Sequence, residues 1–341
     1  MGRGPMAQRY DFASDNVAGA MPEVMDALVR FNGGAAAGYG DDEVCAQAAD
    51  LIRELLDADA EVRFVASGTA GNALTLAALA SPHEAILAHE ASHVATDETG
   101  APGFFGSGVG IIPLNGAAGR IELAGLAAAL DRPDEPHWQS PAALTLTNAT
   151  EFGAVYPVDD LTALVEAAKA KGLKAHLDGA RLANAVAHGF DPKSLAKMGV
   201  DVLVLGGTKA GSTPTEAVVL FDKGVRRRFG ARLKHGGQLV SKARFLAAPW
   251  VGLLETGVWA ERARHANAMA RQLAAAMPFP VVHPVEANGV FVEMDEATLG
   301  RLRAANWFVY RFIDGTVRFM CSWATTPQSV EELAETLRSI A

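Results

Sequence analysis

The chain has 341 residues, 50% of them apolar, and a formal net charge of −9. That is enough for a large core in one sizeable domain plus a smaller one. The acidic balance argues against a nucleic-acid partner, because the densest basic run, Arg226-Arg227-Arg228, reads as a solvated helix face.

Cys45 and Cys321 lie far apart and give neither a disulfide framework nor a metal-ligand spacing, so no metal is expected and a reducing, cytoplasmic compartment is the simplest home. No apolar stretch is long enough for a bilayer; residues 123–130, for example, stop at Glu122 and Asp131. Residues 1–6 lack an apolar signal core and read as a cloning remnant ahead of a natural start at Met6.

In chain order, residues 62–66 read as a strand, followed by the small-residue turn Ser67-Gly68-Thr69-Ala70-Gly71-Asn72 and an Ala/Leu-rich helix to Ala80. Residues 85–88 are a short strand, and a helix could start within 92–99. Strands follow at 110–114, 142–147, 174–177, 202–205 and 217–221. Helical patterns at 123–130, 158–171 and 179–188 alternate with them. This alternation predicts an α/β fold with a mostly parallel sheet covered on both faces. From about residue 261 the pattern changes to a long helix (261–277), short strands at 281–282, 289–294, 307–312 and 317–321, and a closing helix at 330–340. The division is therefore a large α/β domain over 11–260 and a small α+β domain over 261–341.

Ligands of open α/β sheets bind beyond the carboxyl ends of the strands, so the polar residues there are the candidates. The Ser67-Gly68-Thr69 turn could offer backbone N–H groups and a helix N-terminus to a phosphate, or be an ordinary capped turn. His89, Glu90 and His93 follow the next strand; His93 could stack on a flat ring or act as a base, with His89 as its competitor. Asn148, Thr150 and Glu151 follow the strand at 142–147. Asp178 could pair with a pyridinium nitrogen or cap a helix, and Arg181 could hold a carboxylate. Lys209, in the Gly206-Gly207-Thr208-Lys209 turn, is either an exposed loop lysine or, desolvated, an amine able to form a Schiff base. Their joint occurrence is the signal.

The pieces Ser14-Asp15-Asn16, Tyr39-Gly40-Asp41-Asp42, Ser67 to Asn72, His93, Asp178-Gly179-Ala180-Arg181 and Thr208-Lys209 together resemble the low-specificity threonine aldolases, which are fold-type I pyridoxal-phosphate enzymes. The resemblance runs from about Asp11 to the C-terminus. It implies that Lys209 carries the cofactor, Asp178 faces its ring nitrogen and His93 stacks on the ring. It further implies that Ser67, Gly68, Thr69 and Thr208 bind the phosphate, and that Ser14, Arg181 and Arg318 grip the substrate carboxylate. It also implies a homodimer or homotetramer with shared sites, reached by the Tyr39 to Asp42 segment and the Lys234 to Gly237 loop.

One departure bears on the substrate. Many members carry a histidine where this chain has Glu151, in Ala149-Thr150-Glu151-Phe152-Gly153. A carboxylate there accepts a hydrogen bond but donates none unless protonated. In this the chain resembles a branch that handles phenylserine as well as threonine and allo-threonine. The implied reaction is retro-aldol cleavage of an L-β-hydroxy-α-amino acid to glycine and an aldehyde. The general base is open among His93, Glu151, a water between them and Glu98. Aminotransfer, β-elimination or racemisation would reuse the same lysine and aspartate. A non-catalytic binding protein on the same fold is disfavoured by retention of the whole set.

Overall fold

The computed structural model describes residues 8–133, 135–227 and 229–341; the readings of residues 1–6 and of Arg228 lie outside them. Seven strands form the central sheet: β1 (Glu61–Val65), β2 (Glu84–His89), β3 (Gly110–Leu114), β4 (Ser140–Thr147), β5 (Lys174–Gly179), β6 (Val202–Gly206) and β7 (Glu216–Leu220). Their spatial order is β1-β7-β6-β5-β4-β2-β3. β3, β2, β4, β5 and β6 pair in parallel, and β7 is antiparallel to both β6 and β1. The fold is therefore the expected α/β type with a mostly parallel sheet. β6 and β7 are buried along their whole length, which is why they read as continuous apolar runs rather than alternating ones.

The reversal of β7 matters for the site. The parallel strands deliver their carboxyl ends to one edge, whereas β7 brings its first residue, Glu216, to that edge opposite Gly206 and Val65. Glu216 therefore stands at the site without standing after a strand, and the rule of carboxyl ends passes over it.

Three helices absent from the strand-centred reading pack together at the β1 side of this sheet: Glu43–Leu56 and Arg244–Glu255 meet β1, and Pro22–Arg30 packs on the latter helix. The second starts at Asp42, whose carboxylate accepts the Cys45 N–H at 2.9 Å. That cap gives Asp42 a structural task within its own chain. Beside it, Lys234 Nζ lies 4.9 Å over the Tyr39 ring, so the two segments expected to reach a neighbouring site meet each other here.

The second sheet is antiparallel, ordered β8 (Gly289–Val292), β10 (Val317–Met320), β9 (Tyr310–Arg311). The expected strand at 281–282 reduces to a single bridge from Val281 to Val292, flanked by Pro280 and Pro284, which cannot donate to a ladder. The expected strand at 307–312 shrinks to two residues because Trp307 bridges Arg9 instead. The long helix spans Val258–Ala275. Its first half (Val258, Trp259, Ala263) packs into the large core, and its second half (Met269, Ala270, Leu273) into the core of the small sheet.

The N-terminal segment joins these parts. The Phe12 side chain lies in the small core and its carbonyl accepts the Met320 N–H at 2.9 Å. Met21 N donates to Gly211 O at 2.8 Å, just past Lys209.

Gly206, where β6 ends, lies against the chain entering the next helix. A Cβ there would sit 2.3 Å from the Ala180 carbonyl oxygen and 2.8 Å from its Cα, and backbone cannot step aside as a side chain does. Gly206→Ala is expected to cost about 1–3 kcal/mol in denaturant unfolding and to weaken cofactor loading by shifting the Lys209 turn.

Candidate active site

One pocket at the carboxyl edge of the parallel strands is lined by Ser14, Gly68, Thr69, Asn72, His93, Glu151, Asp178, Arg181, Lys209, Glu216 and Arg318, with Asp97 and Phe312 also in its wall. Most of the expected site residues are thus brought together. Ser67 and Thr208 are not among the lining residues. Ser67 caps the Gly68–Leu79 helix through Oγ, which accepts the Ala70 N–H at 3.2 Å. The Thr208 hydroxyl serves its own turn, donating to Thr215 O at 3.4 Å and accepting the Thr215 N–H at 3.2 Å.

Asp178 lies inside β5, not after it, and is almost fully buried. Its Oδ1 accepts the Ala180 N–H at 2.9 Å and its Oδ2 accepts Asn72 Nδ2–H at 2.7 Å. Two donors hold the carboxylate ready for a third, such as a protonated ring nitrogen.

Glu151 occupies the loop after β4. Its Oε1 accepts the His93 backbone N–H at 3.0 Å and the Thr147 hydroxyl at 3.1 Å, while Oε2 is buried with no partner among the described residues. Burial, aided by the nearby Asp178 charge, pushes the Glu151 carboxyl up to about 7. That is the range a base working at neutral pH needs.

The two histidines separate cleanly: His89 ends β2, one residue later than the sequence placed the strand end, and His93 follows it. His89 is buried, with Nε2 against Gly116 O at 2.9 Å and Nδ1 accepting the Ala91 N–H at 3.0 Å, so it is a structural residue. His93 faces the pocket, and its Nδ1 lies 2.9 Å from Glu98 Oε1. That hydrogen bond raises the His93 pKa above its ordinary value, against the opposing effect of burial.

The two arginines are not equivalent. Arg181 donates from Nε and Nη2 to both oxygens of Asp15, at 2.7 and 3.0 Å, and Asn288 Nδ2–H also donates to Asp15, at 3.1 Å. One edge of the Arg181 guanidinium is therefore committed to orienting it. Arg318 sits 4.7 Å over the Phe312 ring, and its Nε is buried without a partner among the described residues. Burial and the neighbouring Arg181 lower its pKa. A substrate carboxylate would relieve that repulsion and satisfy the orphaned donor.

Sequence reasoning assigned no individual role to Asn72, Asp15, Asn288 or Glu216. Asp15 and Asn72 stood inside the quoted motifs, and their proximity to charged partners comes only from tertiary packing. Glu216 is a carboxylate in a wholly buried strand, which is a signal in itself. Its Oε2 accepts the Gly207 N–H at 2.6 Å, beneath the Lys209 turn.

Residues 11–297 match the family model described as beta-eliminating lyase. A low specificity L-threonine aldolase of Pseudomonas sp. (strain NCIMB 10558) is 43% identical, over 98% of each chain. Another so named from Pseudomonas aeruginosa is 44% identical over 96% of this chain and 97% of its own. The chain belongs to the threonine aldolase branch of the β-eliminating lyases. A threonine aldolase structure from Leishmania major shares its fold with a TM-score of 0.91 at 29% identity, covering 98% of this chain and all of that one.

Threonine aldolases and β-eliminating lyases depend on pyridoxal phosphate, and the pocket fits it. Asp178 offers a buried carboxylate to the ring nitrogen, and the first residues of a twelve-residue helix, Gly68 and Thr69, offer a helix N-terminus to the phosphate. Lys209 supplies the only lysine amine among the residues lining the pocket. The orphaned buried atoms Arg318 Nε and Glu151 Oε2 leave an anion site and an acceptor for the substrate.

Proposed function

We propose that this threonine aldolase cleaves L-β-hydroxy-α-amino acids, among them threonine, allo-threonine and phenylserine, to glycine and an aldehyde. The observation that carries the reading is the convergence of Lys209, Asp178, Glu151 and the two arginines on one pocket. Pyridoxal phosphate, when bound, supplies a carbonyl for the Lys209 amine and an electron-accepting ring. Lys209 holds the group in place between turnovers. The Asp178 carboxylate keeps a proton on the ring nitrogen. Arg318, with Arg181 steered by Asp15, holds the substrate carboxylate and so decides which bond at Cα lies across the ring.

Glu151 is the base: its free Oε2 accepts the proton of the β-hydroxyl as the Cα–Cβ bond breaks and the aldehyde leaves. His93, in the pocket wall, would stack on the ring of the bound cofactor. Ser14, Ser67, Gly68, Thr69 and Thr208 complete the proposed binding set, the last through the turn it holds. The working assembly we propose is a homodimer or homotetramer in the cytoplasm; no helix among the described residues is long and apolar enough to cross a membrane.

Purified protein loaded with the cofactor should release acetaldehyde and glycine from L-threonine, and benzaldehyde from L-phenylserine, with little turnover of the D forms. The family model's description favours one second reading, β-elimination. Pyruvate from L-serine without aldehyde from L-threonine would establish that reading instead.

A further inference from the structure

We infer that Glu98 is a positioning residue: from behind the pocket it ties the His93 imidazole to the Asp178 carboxylate through Asn72. The inference deepens the aldolase reading and rests on it only for its kinetic consequences. The Glu98 side chain is 0% exposed, whereas that of His93 is 40% exposed. The pocket wall contains His93, Asp97 and Asn72 but not Glu98, so Glu98 does not meet substrate. It sits one layer deeper, touching two residues that do.

A single oxygen makes both contacts. Glu98 Oε1 accepts Asn72 Nδ2–H at 3.0 Å and lies 2.9 Å from His93 Nδ1. The same Asn72 nitrogen donates to Asp178 Oδ2 at 2.7 Å. Carboxylates on both sides fix which end of the Asn72 amide carries hydrogens. An ionised Glu98 can only accept, so Nδ1 of His93 carries the proton and Nε2 is the atom left for chemistry in the pocket. Glu98 Oε2 is buried with no partner among the described residues, so a proton there would have nothing to donate to.

The result is one connected unit, His93–Glu98–Asn72–Asp178, that sets the tautomer, the ring plane and the charge of the imidazole together. Asp97, Glu151, Asp178, Lys209, Arg181, Glu216 and Arg318 line the same pocket, Asp178 and Lys209 near enough to influence His93, but among the described residues only Glu98 hydrogen-bonds to its ring.

Glu98→Gln isolates the charge, because a glutamine oxygen in the same place keeps both hydrogen bonds. The test follows the ¹⁵N resonances of the His93 ring in the holoenzyme, assigned by their loss in His93→Asn. Wild type should show the Nδ1–H tautomer. In Glu98→Gln the His93 titration midpoint should fall by about one pH unit or more, while KM changes little and the pH limb assigned to Glu151 stays in place. An unmoved midpoint, even with a lower melting temperature, would mark Glu98 as packing only and overturn the inference. So would an Nε2–H tautomer in wild type, a measurement that needs no variant to fold. If wild type binds the cofactor yet releases no aldehyde, the aldolase reading fails, while the resonances still decide the role of Glu98.

Discussion

Lys209→Ala is expected to lower kcat by at least ~10⁴-fold while leaving the fold intact. The lysine sits within a short turn whose geometry is held by others: Glu216 accepts the Gly207 N–H, and Thr208 bonds to Thr215. Removing the side chain therefore removes the amine and little else. Wild-type protein should be yellow, with a band near ~420 nm, and borohydride should fix the cofactor to the chain irreversibly. The variant should lose both the band and the fixation, although the Asp178 and helix N-terminal contacts can still hold the cofactor loosely. Mass spectrometry of the reduced proteins reads the result directly. Covalent cofactor at the wild-type level in Lys209→Ala would reassign the lysine.

Glu151→Gln is expected to lower kcat by about 10²–10⁴-fold and, at the same time, to stabilise the protein. Both effects come from the same buried carboxyl, pushed up to about 7 by desolvation. A base must be deprotonated, so wild-type activity should climb with pH through about 7, and that limb should vanish in the glutamine variant. For stability the sign is the reverse. The folded chain binds this proton more tightly than the unfolded chain, so the stabilisation it gives is complete below the ordinary value of 4.5 and is lost as pH rises through about 7. Glutamine carries no such charge. The variant should therefore match wild type near pH ~4 and exceed it at pH ~8, by on the order of 1–3 kcal/mol. Denaturant titrations at the two pH values check this. A variant that is slower but no more stable at the higher pH would mean that Glu151 is not held uncharged by burial.

The proposed catalytic residues were legible because parallel strands hand their polar residues to one edge. Lys209, Asp178, Glu151 and His93 each stand at or just beyond a strand end, so a one-dimensional reading finds them. Residues that support them were not, because what they do depends on partners distant in sequence. Asp15 reaches Arg181 across 166 positions and Asn72 reaches Asp178 across 106. Glu216 was hidden by strand direction, since β7 arrives at the site by its start. Among the helices, Pro22–Arg30 has a strong one-sided apolar pattern that could have exposed it, but it carries none of the polar signals that mark the strand ends.

The first stretch of the chain works as a strap. Arg9 stacks 3.8 Å over Trp307, Phe12 plugs the small core, Asp15 aims Arg181, and Met21 bonds beside the lysine turn. Within this short span it fastens the second sheet, Arg181 and the Lys209 turn to one another. A library clone or trimmed expression vector that starts at residue 22 would keep Lys209, Asp178, Glu151 and His93 and still lose the alignment among them. Where such a gene is recoded or fused, residues 9–21 should be kept with the proposed site they align.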